Sequence, residues 1–361
     1  MKKIILFTLI AIAGLFIITI LGLIVYLQIT EYRPPPIEMV QVNGKGQPLP
    51  WKKYEFNFLS WNLGYAGLGK TMDFFYEGGK KVRASQSETK ANLKGISDEL
   101  KSCDSVDFML LQEVDVDSKR TYGQDQFAEL GKALPDYSST FALNYKVSFL
   151  PIPVFEPIGK VTAGLCTFSK YPSENNERHA YEASFYWPKS LIWLKRCFIT
   201  STYIVGGGKQ LIVVNLHNSA YDASGELRKK ELAQLQDYLE REYMKGNYII
   251  VGGDWNMNPR GFKEKEISSG DNVYSIKPSM DGVFMQSWKV VYDSSRPTNR
   301  NLTGPYQKGI MQTTIIDFFI VSPNIKVLYC VTADKGFTYS DHNPVFARFR
   351  LMPVGEGATG L

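Results

Sequence analysis

Apolar positions along this chain fall into three patterns, and each predicts a different kind of element. The first is an uncharged run from Ile4 to Leu27. As a helix its 24 residues would span roughly 36 Å, enough to cross a bilayer with some tilt. A cleaved signal peptide is the competing reading, but its apolar region would be shorter and would end in a small-x-small site. Here the run continues into Ile24-Val-Tyr-Leu-Gln28. Residues 1–30 are therefore expected to be an uncleaved transmembrane signal anchor. Lys2 and Lys3 precede the run, whereas Glu31, Arg33 and Glu38 roughly cancel beyond it. That asymmetry predicts a cytoplasmic N-terminus and an extracytoplasmic remainder. Residues 31–53, with Pro34-Pro-Pro36, read as a stiff linker that lifts the next domain off the membrane.

The second pattern is a series of short apolar, β-branched runs closed by turn residues, which predict strands. They lie at Phe56–Asn62, Val106–Glu113, Gly164–Ser169, Gln210–Leu216, Asn247–Val251, Thr314–Ser322 and Val345–Phe349. The third is helical spacing. Leu93, Ile96 and Leu100 follow a capping-box sequence, Ser85-Gln-Ser-Glu88, and Leu232, Leu235 and Leu239 precede a stop at Gly246.

Composition adjusts this picture modestly. A 44% hydrophobic and 13% aromatic chain can bury a large core, most simply as one α/β domain over 54–352 with a flexible tail at 353–361. The net charge is +5, of which Lys2 and Lys3 supply two; the +3 that is left does not imply a nucleic-acid partner. The four cysteines, at 103, 166, 197 and 330, are scattered like buried small hydrophobes, without the spacing of a disulfide framework or metal site.

The chemistry gathers where the strands end. Val251-Gly-Gly-Asp-Trp-Asn256 places a carboxylate, Asp254, and an amide, Asn256, on the loop after a buried strand. One can accept a proton and the other can orient water or an oxyanion. An ordinary Asp/Asn turn would look the same in isolation. Asn62 ends the first strand, and Gln112-Glu113 ends the second. A carboxylate emerging from a buried strand needs a partner, either a divalent cation or an Arg or Lys from elsewhere. His217-Asn218 ends the strand after Gln210, where the histidine could donate a proton. His179 lies in a polar stretch and reads as a surface residue. Asp317 stands alone inside an apolar strand, and Ser340-Asp341-His342 forms a turn before the last strand. An Asp317–His342 hydrogen bond would satisfy the buried acid and fix the imidazole's tautomer.

Asn62, Leu-Gln-Glu113, Asn-Leu-His217-Asn218, Gly-Gly-Asp254-Trp-Asn256, Ile-Asp317-Phe and Ser-Asp341-His342 occur in the order seen in the endonuclease/exonuclease/phosphatase superfamily. The chain resembles that superfamily from about Tyr54 to Arg350. Its members include deoxyribonuclease I, apurinic endonucleases, inositol polyphosphate 5-phosphatases and neutral sphingomyelinases. The resemblance implies a four-layer α/β sandwich, two mixed sheets face to face with helices outside, here preceded by the anchor. It implies Mg2+, or Mn2+ in its place, held by Glu113 with Asn62 and Asp341 close by. Asp254 would activate the attacking water with help from Asn256, and Asp317 would orient His342 toward the phosphate. His217 would donate a proton or contact phosphate, and Asn218 would contact a phosphate oxygen. The apurinic endonucleases have no histidine at the His217 position, so the chain departs from that branch.

Substrate class stays open at this level: a lipid headgroup, a nucleic acid or an inositol phosphate. The short basic clusters at Lys80-Lys81-Val-Arg83 and Lys229-Lys230 read as solvated surface, against a nuclease groove. Segments 147–158 and 185–193 are unusually apolar for loops, which suits a membrane rim or, equally, hairpins packed on the domain. No obligate protein partner is implied. A binding module that has kept this fold without its chemistry, or a membrane-anchored scaffold, would be indifferent to divalent metal.

Overall fold

The computed structural model describes residues 1–220, 222, 225–262, 277–282 and 284–352; the tail expected at 353–361 lies outside them. Helix α1 (Lys2–Ile29) comes first, followed by strands β1 (Ile37–Met39), β2 (Val42–Asn43) and β3 (Glu55–Asn62). Helix α2 (Gln86–Lys101), β4 (Phe108–Asp115) and α3 (Gln126–Ala133) precede five strands, β5 (Ser138–Leu150), β6 (Gly159–Ser169), β7 (Asn175–Ala180), β8 (Cys197–Val205) and β9 (Lys209–His217). Helix α4 (Glu226–Met244) leads into β10 (Tyr248–Asp254). The remaining strands are β11 (Lys289–Val291), β12 (Asn299–Arg300), β13 (Thr313–Thr314), β14 (Asp317–Val321), β15 (Ile325–Thr332) and β16 (Val345–Leu351).

The larger strands form two seven-stranded mixed sheets, ordered β1-β7-β8-β9-β10-β14-β11 and β15-β16-β3-β4-β6-β5-β2. Strand periodicity explains why they stack. On β3, Phe56 and Phe58 face inward onto Tyr203, Val213, Ile250 and Phe319 of the other sheet, while Leu59 and Trp61 point outward. The Phe58 and Phe319 rings meet across the interface at 6.1 Å between centroids. Burying each such side chain contributes roughly 1.5–3 kcal/mol. The predicted helices cover the outer faces. Ser85 caps α2 in the expected capping box, and Leu93, Ile96 and Leu100 pack on Leu59, Met109 and Leu111. Leu232, Leu235 and Leu239 of α4 pack on Ile212, Val214 and Ile249. The result is the four-layer α/β sandwich, with an N-terminal helix long and apolar enough to cross a membrane.

Two expectations from sequence need adjustment. Residues 31–53 are not a free spacer, because β1 pairs antiparallel with β7 and β2 with β5, adding one edge strand to each sheet. His179, expected on the surface, is buried on β7. Its ring stacks on Phe198 at 4.7 Å, and its Nε2 lies 3.1 Å from the Glu177 carboxylate.

The strand directions place the chemistry at one rim. Strands β3 and β4 run parallel, as do β9 and β10, so their C-terminal ends emerge together. Strand β14 runs antiparallel to β10, with Asp317 opposite Asp254.

Candidate active site

Each site residue sits where its strand is forced to stop or bend. The register between β4 and β6 shifts between Leu111 and Val114, and Glu113 occupies this bulge with φ of 53°. Such left-handed backbone is unfavourable for a residue with a Cβ, and bulges of this kind turn a side chain toward a site. Gly253 has φ of 147°, and a Cβ there would lie 2.1 Å from the Leu216 carbonyl oxygen. Glycine thus lets β10 lie close to β9 just before Asp254. At Gly64, φ is 48° and a Cβ would stand 2.6 Å from Asp341 Oδ1. The glycine leaves that carboxylate its space.

A cleft of about 150 Å3 opens at this rim, and Glu113, His217, Asp254, Asn256, Asp341 and His342 line it. Asn62, Asn218 and Asp317 stand directly behind the lining and hold it. Asp254 is the hub. Its Oδ2 accepts from Asn62 Nδ2 at 2.9 Å and lies 3.4 Å from His217 Nε2 and 3.8 Å from His342 Nε2. Its Oδ1 accepts the Asn256 N–H at 2.9 Å. Burial favours the neutral acid, but the neighbouring His217 and His342 rings and the Asn62 and Asn256 hydrogen bonds outweigh it. They hold Asp254 below the usual carboxylate range.

The predicted Asp317–His342 pair is present, with Nδ1 to Oδ2 at 2.8 Å. Burial alone would neutralise the imidazole; the nearby charges of Asp317 and Asp341 prevail and raise His342 to about 10. Burial raises Asp317 to about 6, opposed by His342. His217 goes the other way, lowered by burial and by the neighbouring Arg196 guanidinium, so one imidazole is charged and the other neutral near pH 7. Asn256 Nδ2 donates to the Asn218 carbonyl at 3.0 Å, and Asn218 Oδ1 accepts from Tyr181 Oη at 2.9 Å. The Asn218 Nδ2 group is buried without a partner among the described residues.

Two groups of side chains could hold a divalent cation. Asp254, Asp317 and His342 offer ligand atoms within 4.8 Å of one another. The Asp317–His342 hydrogen bond already occupies one carboxylate oxygen and Nδ1, and a charged imidazole is no ligand. Glu113 and Asp341 form the better set. Glu113 is partly open to the cleft, and burial pushes Asp341 up to about 7, opposed by His342 and reinforced by the Glu113 charge. A hard cation is the partner such paired oxygens lack. In this conformation Asn62 turns its amide nitrogen, not its oxygen, toward the acids. Its Nδ2 donates to Glu113 at 3.2 Å, and its Oδ1 accepts from the Gly64 N–H. A bound cation would favour the reverse orientation, with the amide oxygen toward the acids.

Sequence reasoning missed Arg196. It precedes β8 in a Leu-Lys-Arg-Cys stretch with no motif, yet it lines the cleft almost wholly buried. Its Nη1 donates to the His217 carbonyl at 3.3 Å, while its Nε has no partner among the described residues. Asn144 Nδ2, also in the cleft wall, is likewise unpartnered. Buried donors without acceptors are costly, and a phosphate oxygen would satisfy them.

Paired acids, a carboxylate hub, one charged and one neutral imidazole and unfilled donors make this a site for phosphoester hydrolysis. The Endonuclease/Exonuclease/phosphatase family model matches residues 59–342, and the chain belongs to that family, whose members are hydrolases of phosphoester bonds. Solved structures share the fold. An endonuclease/exonuclease/phosphatase from Beutenbergia cavernae is 18% identical, with a TM-score of 0.55 over 83% of this chain and 72% of that one. Humanized D. rerio TDP2 carrying 14 mutations is 14% identical, with a TM-score of 0.52 over 82% and 99%. The endonuclease/exonuclease/phosphatase from Bacteroides vulgatus is 16% identical, with a TM-score of 0.51 over 83% and 100%. Comparison with curated proteins gives no match.

Proposed function

We propose that this chain is a Mg2+-dependent phosphoesterase held at a membrane by α1, with its N-terminus cytoplasmic and its catalytic domain outside. The observation that carries the reading is the convergence of Glu113, Asp341, Asp254 and His342 on one cleft. Glu113 and Asp341 would hold the ion, with Asn62 beside it; Mn2+ suits the same oxygens. When bound, the metal supplies Lewis-acid polarisation of the phosphoryl group and offsets charge on its oxygens.

The protein's own groups do the rest. Asp254, kept ionised, accepts the proton of the attacking water, and Asn256 fixes that carboxylate through its backbone N–H. Asp317 holds the His342 imidazolium toward the phosphate, where its charge stabilises the developing oxyanion. Neutral His217 lies 3.4 Å from Asp254, placed to take on the proton that Asp254 draws from water and pass it to the leaving oxygen. Arg196 and Asn144, the unpartnered donors of the cleft wall, cover the remaining phosphate oxygens, while Asn218 holds Asn256 from behind.

A lipid headgroup is favoured over nucleic acid because two of the three basic side chains in the Lys80-Lys81-Val-Arg83 cluster are already engaged. Lys81 bonds the Thr71 carbonyl, and Arg83 bonds the Pro157 carbonyl and pairs with Glu156. The test uses the full chain in detergent–lipid micelles with Mg2+ or EDTA. Its substrates are plasmid DNA, sphingomyelin, glycerophospholipids, phosphoinositides and soluble inositol phosphates. Metal-dependent turnover of a lipid, absent in His342→Ala, is the expected result. Turnover of DNA alone would replace the lipid reading with a surface nuclease. Absence of both turnover and metal binding would leave an inactive binding module and sink the enzyme reading.

A further inference from the structure

Helix α1 is docked onto the domain at its C-terminal end. Leu27 is buried, and Leu23 and Ile24 pack with it on an apolar cluster that contains Leu150, Ile158 and Leu191. One residue on, Gln28 Oε1 accepts the Trp187 indole N–H at 3.2 Å, and Glu31 pairs with Lys195 at 2.6 Å. The rest of the helix stands clear of the protein. Its 28 residues measure about 42 Å, about 12 Å more than a hydrocarbon core. If the helix stands upright, its docked last turns fall at the interface between hydrocarbon and headgroups.

Two loops flank that docking point and expose side chains that water does not favour. On the β5–β6 connection, Val154 is 78% exposed and Phe155 fully so; on the segment before β8, Tyr186 is 92% and Trp187 62% exposed. Lys189 lies over the Phe185 and Trp193 rings at 3.6 and 4.2 Å, an exposed cation among aromatics. Aromatic residues with a nearby lysine are the composition of a membrane–water interface. The same apolar cluster continues into the active-site wall: Tyr145 and Ala163 belong to it, Phe74 and Leu194 pack against it, and all four line the cleft.

We infer that the 151–158 and 185–193 loops seat in the outer leaflet of the bilayer that α1 crosses. The cleft then opens at the lipid surface, and its substrate is a phosphoester carried on a membrane lipid. The substrate half of this inference rests on the phosphoesterase reading above, and the seating half on the reading of α1 as a membrane span. The occupant is lipid because Trp187 is tied to the end of the span itself. A surface within one residue of buried Leu27, on a helix that crosses the membrane, has the bilayer as its immediate neighbour.

The test reads depth and chemistry separately. The full chain carrying Phe155→Cys, labelled with an environment-sensitive fluorophore, is reconstituted in phosphatidylcholine vesicles with nitroxide-labelled lipids. Met244→Cys, exposed at the opposite end of α4 from the cleft, and the labelled wild type serve as references. Severalfold stronger lipid quenching at 155 than at 244 is expected. Equal quenching, or concentration-dependent shielding of 155 by a second copy without lipid quenching, would overturn the seating. In parallel, Phe155→Ser/Tyr186→Ser is assayed on vesicle lipids and on bis-p-nitrophenyl phosphate. A loss of about tenfold or more confined to the vesicles is expected; equal activity on both would overturn the lipid-substrate inference. A wild type that cleaves neither substrate while position 155 is quenched would sink the phosphoesterase reading and leave the seating intact.

Discussion

The two sheets bring different halves of the chemistry to the rim, and they differ in how their charges are balanced. The β9/β10/β14 half supplies His217, Asp254 and Asp317, and the protein itself provides their partners. Asp254 has two imidazoles and an amide around it, and Asp317 has His342. The β3/β4 half supplies Asn62 and Glu113 and is joined by Asp341 from the turn before β16; there burial, reinforced by the Glu113 charge and opposed by His342, pushes Asp341 up to about 7. The carboxylates of one half have cationic or amide partners as folded, whereas on the proposed function those of the other are completed by a cation. On the proposed function this arrangement has a reason: the groups assigned to proton movement would stay fixed whether or not the metal is present.

That contrast can be broken from either side. The largest effect belongs to the hub. Asp254→Asn removes the proton acceptor and should lower kcat about a thousandfold, while Mg2+ affinity, measured by calorimetry, stays within about threefold. Next is Glu113→Gln, on the incomplete half. It should abolish the Mg2+-dependent rise in Tm of the full chain in detergent and lower kcat/KM at least a hundredfold, with partial recovery at high Mg2+. Asp317→Asn should cost about a hundredfold in kcat with metal binding unchanged, and it carries a pH signature. With the Asp317 charge gone, the His342 pKa falls from about 10 toward its ordinary value. The imidazolium is then lost as pH rises through neutrality, so the variant gains an alkaline limb between about pH 7 and 9 that the wild type lacks.

The smallest effect tests the support behind His217. Glu231 of α4 accepts from the Ser219 hydroxyl and N–H at 2.6 and 2.9 Å. Burial raises it to about 6, against the Ser219 hydrogen bonds and the Arg196 and Arg228 charges. Between the unfolded value of 4.5 and about 6, the folded state binds more protons than the unfolded one, so stability falls as pH rises through that window. Relative to Glu231→Gln, the wild type should lose about 2 kcal/mol between about pH 3.5 and 7, most of it from about pH 4.5 to 6, read from denaturant midpoints.

The sequence was most informative where a single physical constraint dominates. An uncharged 24-residue run can do little but form an apolar helix, and Ser85 with Glu88 specifies a helix start. A lone Asp317 in an apolar strand needs a partner, and His342 is that partner. Legibility failed where tertiary context decides. Strands β1 and β2 are three and two residues long and wholly exposed, so no alternation marks them. His179 and Arg178 look polar in sequence. They are buried because Phe198 stacks on the histidine ring and the Leu143 and Lys195 carbonyls accept from the arginine. Arg196 carries no motif at all, and only the fold brings it behind His217. The bulge that turns Glu113 into the cleft is a register shift against β6, which neither strand's sequence shows alone.

The central claim is that the cation belongs to Glu113 and Asp341 while Asp317 and His342 act on the phosphate. Calorimetric Mg2+ titration of the wild type, Glu113→Gln and Asp317→Asn, each paired with its turnover on one substrate, tests it most directly. The account predicts binding in the wild type and in Asp317→Asn, loss of binding in Glu113→Gln, and severely reduced turnover in both variants. Retained binding in Glu113→Gln together with lost binding in Asp317→Asn would move the ion to the Asp254, Asp317 and His342 group and contradict it.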